Sequence, residues 1–141
     1  MIPDTTTSQG AAIAGRLRAE GAIWLTTVSR DGQPQSSPVC FLWDGGDGVL
    51  ILSMEGKPKI RNIAANSRVA FHLDGDTAGG RIVTFEATAT RPPRPATGPE
   101  LEAYRVKYAH TFEAFHSTPE QFFADYPVAL GFRLTRVRAW E

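Results

Sequence analysis

The sequence predicts a mainly β chain: one largely antiparallel sheet closed into a barrel, with helices set around it. Three observations carry this. Residues 22–54 hold three β-rich runs, separated by the turn signals Arg30-Asp31-Gly32 and Asp44-Gly45-Gly46-Asp47-Gly48. Such turns join antiparallel strands and are too short for parallel crossovers. Further strand-like runs follow at 68–73, 81–90 and 128–140, and a sheet of that size exposes two edges unless it closes on itself.

Each element has its own local reason. Met1 to Thr7 is polar, with neither the basic nor the apolar segment of a leader peptide. Ser8 to Glu20 reads as a helix, capped by Thr7 or Ser8, with Ala12, Ile13 and Leu17 as a narrow apolar stripe and Gly21 as its stop. Ala22 to Val28 is the first strand. Pro34 to Trp43 is its return strand, which Pro34 and Pro38 assign to an edge or a bulge. Val49 to Met54 is the third strand.

Pro58 to Asn66 is a short helix with Pro at its first position, burying Ile60, Ile63 and Ala64. Arg68 to Leu73 alternates Val69, Phe71 and Leu73, and Arg81 to Thr90 puts Val83, Phe85, Ala87 and Ala89 on one face. The proline-rich stretch 91–99 is a stiff connector. Glu100 to His116 is read as one helix with Leu101, Tyr104, Tyr108, Phe112 and Phe115 on one face. Thr118-Pro119-Glu120-Gln121 is a capping box, and Val128 to Trp140 is the closing strand.

At 141 residues the chain fits a single domain, 1–141, with a real core. Lys plus Arg and Asp plus Glu are equal at 15 each. No overall field therefore draws nucleic acid or an anionic membrane, and anion binding must be local. The lone Cys40 excludes an internal disulfide and a cysteine-rich metal site, and fits the cytoplasm; it reads as a small core residue. His72, His110 and His116 lack ligand spacing, so no metal site is expected. Glu86, within an apolar strand, is read as an ion-pair partner.

The stretch Ser53 to Asn62 carries the chemistry. A strand ends at Ser53, turns at Gly56 and enters a helix at Pro58, with Lys57, Lys59 and Arg61 on alternate residues. Free N–H groups, a positive helix end and lysines at one place make a cradle for a phosphate.

In the residues Trp24-Leu25-Thr26-Thr27-Val28, Asp31-Gly32-Gln33-Pro34, Ser37-Pro38-Val39, Phe41, Ser53, Lys57 to Ile63 and Asn66 to Ala70, the chain resembles the pyridoxamine-phosphate-oxidase-like family of flavin and deazaflavin proteins. Within it, it is most similar to the actinobacterial proteins that use coenzyme F420. The resemblance implies a six-to-seven-stranded antiparallel split β-barrel of the FMN-binding type, paired as a homodimer with the cofactor at the interface. It implies that Lys57 and Lys59 meet the cofactor phosphate, that Ser53 and Met54 run beside the ribityl chain and ring, and that Ser37, Pro38 and Val39 face the ring. Arg61 or Arg68 is a candidate for the acidic tail of F420, Asn62 holds the helix start, and Trp140 with Arg138 lies near the partner's site. The implied activity is an oxidoreductase passing a hydride between F420 and a small apolar acceptor, with no catalytic side chain required. FMN in the same fold, as a flavin reductase or oxidase, and a cofactor carrier without turnover are the alternatives.

Overall fold

The computed structural model describes residues 2–140. Its strands are β1 (Ile23–Val28), β2 (Pro34–Val39), β3 (Phe41–Trp43), β4 (Gly48–Ser53), β5 (Arg68–His72), β6 (Ile82–Ala89) and β7 (Val128–Trp140). Its helices are α1 (Ser8–Ala19), α2 (Pro58–Ala65), α3 (Gly98–Lys107), α4 (Ala109–Ala114) and α5 (Pro119–Asp125). Every strand pair is antiparallel, and the order across the sheet is β2-β1-β5-β6-β7-β4-β3.

The two edge strands are neighbours in sequence. β2 ends at Val39 and β3 begins at Phe41, with only Cys40 between. Consecutive Cα atoms are about 3.8 Å apart, so the two edges of the sheet meet at Cys40. The sheet is therefore curled into a barrel left split along one seam, which is the mainly β fold expected. The single return strand read over Pro34 to Trp43 is corrected to two strands. At Cys40 the chain leaves its pairing with β1 and takes up pairing with β4.

Tyr104 of α3 and Tyr108, the residue that follows α3, satisfy the backbone at this break. Phe41 N–H donates to the Tyr108 hydroxyl at 2.8 Å, and Leu52 N–H donates to the Tyr104 hydroxyl at 3.2 Å. The Tyr104 hydroxyl in turn reaches the Cys40 carbonyl at 3.0 Å. A buried backbone group without a partner would cost about 1–3 kcal/mol, so these hydroxyls explain why two tyrosines occupy this face.

Two apolar clusters result. Ile23, Leu25, Phe41, Val49, Ile51, Phe71, Phe85, Leu130 and Phe132 fill the barrel, with Ile13 and Leu17 of α1 closing one side. Leu50, Leu52 and Ala129 point outward against Tyr104, Tyr108 and Phe112. β4 is thus covered on both faces, which is why its sequence is a continuous apolar run rather than an alternating one. Val83, Phe85 and Ala87 are buried as their alternation predicts, and Glu86 pairs with Arg136 of β7 at 3.6 Å.

Three further expectations are corrected. The helix over 100–116 begins two residues earlier, breaks at Tyr108 and stops at Ala114, leaving Phe115 77% exposed. The reciprocal capping box belongs to Thr97 and Glu100, while Thr118 caps α5 in one direction only. On α2 the buried pair is Asn62 and Ile63, with Ala64 at the surface.

Candidate functional site

The turn from β4 into α2 is built by Gly56, whose φ of 73° lies in the left-handed region that side-chain-bearing residues avoid. It delivers Lys57 as the residue before the helix and Pro58 as its first member. No side chain caps this end, so its positive pole is left for another group.

Lys57 and Lys59 line a cavity of about 230 Å³ together with Pro38, Val39, Cys40, Leu52, Met54, Phe122 and Tyr126. Among the described residues neither lysine has an ion-pair partner. Burial, and then the charge of Lys57, hold the Lys59 ammonium below its ordinary pKa. Two like charges side by side, one half-buried, are unfavourable until an anion joins them. Burial pushes the Cys40 thiol up, which makes it a neutral, unreactive part of the wall.

The remaining candidate residues lie behind this cavity, across α2 from it or apart from it. Ser53 is 2% exposed and its hydroxyl donates to the Met54 carbonyl at 2.8 Å; it fixes the end of β4 from behind. Ser37 is half-buried and pairs with Leu25 of β1, while the other side of β2 is an open sheet edge. Backbone groups at Ser37 to Val39 are therefore not all consumed by the ladder. Asn62 is buried and donates to Thr27 Oγ1 at 2.9 Å and Gln35 Oε1 at 2.8 Å, which pins α2 to the β1–β2 hairpin.

Arg61 opens on the other side of α2, into a cleft that it shares with Ser29, Arg30, Asp31 and Gln35. Trp140 is 52% exposed and lies apart, beside Ile82 and near Gln9 and Arg16 of α1. The structure thus brings Pro38, Val39, Met54, Lys57 and Lys59 into one cavity, keeps Ser37 and Ser53 on the strands beside it, places Asn62 and Arg61 on the cleft across α2, and leaves Trp140 elsewhere. Cys40, Leu52, Phe122 and Tyr126 complete the walls. Only folding brings Phe122 and Tyr126, from α5 and the residue after it, to a helix start some sixty positions earlier in the chain, so no local pattern marked them.

Comparison with known proteins places this geometry. The sequence pattern of the pyridoxamine 5'-phosphate oxidase family matches residues 10–140. The chain belongs to this family. One curated relative, a 5a,11a-dehydrotetracycline/5a,11a-dehydrooxytetracycline reductase from Streptomyces rimosus, is 38% identical over 80 residues, which is 52% of this chain and 56% of that protein. The match thus spans about half the length of the curated relative.

Two solved structures share the fold. An F420 reductase superposes with a TM-score of 0.65 at 24% identity, covering 88% of this chain and 94% of the other. An FMN-binding protein from Syntrophomonas wolfei does so with a TM-score of 0.66 at 12% identity, covering 89% and 82%. Among the described residues no helix is long and apolar enough to cross a membrane, and no group of His, Cys, Asp and Glu is arranged to hold a metal.

The residues present suit a flavin-type nucleotide. The donor set is cationic and unpaired, as a phosphate requires. The walls beside it are apolar and aromatic, as a flat ring requires.

Proposed function

We propose that the protein is an oxidoreductase using coenzyme F420, acting on a small apolar acceptor in a groove completed by a second copy of the chain. The observation that carries this reading is the Lys57–Lys59 pair, without an acidic partner among the described residues and set on a cavity with apolar and aromatic walls. When bound, the deazaflavin would supply the hydride chemistry. The chain's own residues hold, orient and shield.

In this reading Lys57 and Lys59 donate charge-assisted hydrogen bonds to the phosphate. Pro38, Val39, Leu52 and Met54 form a dry wall for the ring, and backbone groups on the open side of β2 contact its polar edge. Ser53 and Asn62 act from behind by fixing the end of β4 and the start of α2. Arg61, with Arg30 in the same cleft, receives the acidic glutamyl tail that distinguishes F420 from FMN. The F420 reductase with the same fold supports this choice, and the reductase from Streptomyces rimosus supports an oxidoreductase reading.

The second copy is favoured by size. A cavity of about 230 Å³ falls short of the roughly 300–1,000 Å³ of ordinary ligand sites. Met54, at 38% exposure, leaves an apolar side chain uncovered. The row Ser36, Thr26 and Ala70 crosses β2, β1 and β5 with small outward side chains, half-buried or exposed, and meets the exposed Glu86 on β6. This gives a flat face on which a second barrel can pack, bringing Trp140 and Arg138 toward the partner's site.

The FMN-binding protein of the same fold favours FMN as the second reading. Titration of the cofactor-free protein with F420 and with FMN, followed by fluorescence, separates the two. The proposal expects F420 to bind more tightly, and binding of FMN alone would sink it. Reduced F420 bound to the protein is then offered quinones, enones and nitroaromatics. Oxidation by at least one of them is the expected result; binding without transfer to any would make the protein a carrier.

A further inference from the structure

We infer that the aromatic cavity beneath α4 and α5 binds a neutral, flat, aromatic molecule that carries a hydroxyl or amide donor. This second cavity has a volume of about 290 Å³. It lies next to the Lys57–Lys59 cavity, and Cys40, Phe122 and Tyr126 line both. A ring seated in it is separated from the first cavity only by those side chains.

The walls suit a ring. Phe122 and Tyr126 stack with centroids 4.6 Å apart and planes 19° from parallel, and Phe112 packs on Phe122 at 5.5 Å. An aromatic guest adds to such a set by offset or edge contact. Phe115 stands at the rim, 77% exposed and outside both apolar clusters. Its ring extends the aromatic lining out to the mouth of the cavity.

Charge selects the class of guest. Asp125 is the one acidic side chain in the lining, and among the described residues it has no cationic partner. One of its oxygens accepts from Gln121 Nε2 at 3.0 Å, and the other is available to a donor on the guest. A carboxylate at the mouth of an apolar cavity repels an anion and accepts from a hydroxyl. That the guest is the hydride acceptor rests on the oxidoreductase reading above; that the cavity binds it does not.

The test uses two probes of one shape, 2-naphthol and naphthalene-2-sulfonate, titrated by calorimetry into the full chain without cofactor. Naphthol is expected to bind about tenfold or more tightly than the sulfonate, and to remain bound when F420 or FMN is saturating. Thr111→Trp, on the exposed side of α4, places an indole in the cavity and is expected to abolish naphthol binding without changing cofactor affinity. Asp125→Lys, also at the surface, is expected to reverse the preference toward the sulfonate. Equal binding of the two probes, displacement of naphthol by the cofactor, or indifference to both substitutions would overturn the proposal. Failure of both cofactors to bind would defeat the oxidoreductase reading while leaving this one standing. Cofactor binding with no naphthol binding would do the reverse.

Discussion

Asn62 holds the start of α2 against the β1–β2 hairpin through two donated hydrogen bonds. Asn62→Ala leaves Thr27 and Gln35 without their donor, at a cost of about 1–3 kcal/mol. Urea unfolding measures that loss, and a midpoint equal to wild type would show that the contact is idle. Lys107 makes a different prediction. Its ammonium donates to the Phe41 carbonyl at 2.9 Å and lies 3.6 Å above the Phe41 ring centroid, yet burial holds its pKa down at about 8 from 10.5. A base whose folded pKa is lowered sheds its proton first in the folded chain. The penalty of the buried charge is full below pH 8 and is relieved between pH 8 and 10.5, so this residue makes stability rise with pH across that window. Lys107→Met cannot titrate. The stability of wild type relative to this variant is expected to rise from pH 8 to 10.5; a constant difference would contradict the burial argument.

At the scale of elements, α3 is anchored at its start. The Arg94 guanidinium, together with the Thr97 N–H and hydroxyl, holds the Glu100 carboxyl at about 2 against burial, which opposes them. An acid with a lowered folded pKa contributes stability that is present above pH 4.5 and lost as pH falls toward 2. Glu100→Gln is expected to flatten the acid-side loss of stability in that window, and Thr97→Ala to cost about 1 kcal/mol; thermal unfolding at pH 5 and pH 3 reads both. This cap was hidden in the sequence because Thr97 sits in a proline-rich stretch that looks like a connector. β7 was legible over its whole length, since Val128 to Trp140 contains no turn residue strong enough to stop it. The break at Cys40 was not, because nothing local in Ser37 to Phe41 records the change of partner from β1 to β4; it is a property of the closed sheet. The candidate site divides in the same way. Lys57, Lys59 and Met54 are neighbours in sequence and could be read together, whereas Cys40, Phe122 and Tyr126 join them only through the barrel seam and the packing of α5.

At the scale of the molecule, the seam is where the candidate site lies. The barrel opens at Cys40, and the Lys57–Lys59 cavity and the aromatic cavity both border that residue. The Lys57–Lys59 cavity, at about 230 Å³, is by itself too small for a flavin-type ring and its side chain, so a paired assembly is expected in solution. Light scattering should give twice the mass of one chain, and a mass equal to one chain at micromolar concentration would remove the second copy from the account. The central claim, that Lys57 and Lys59 hold the cofactor phosphate, is tested most directly by the affinity of the double variant Lys57→Ala, Lys59→Ala for F420, with FMN as the parallel ligand. Charge-assisted hydrogen bonds worth about 1.5–3 kcal/mol each, with imperfect additivity, predict a loss of about 2–4 kcal/mol, or roughly 30-fold to 1,000-fold in Kd. A double variant that binds the cofactor as tightly as wild type would contradict it.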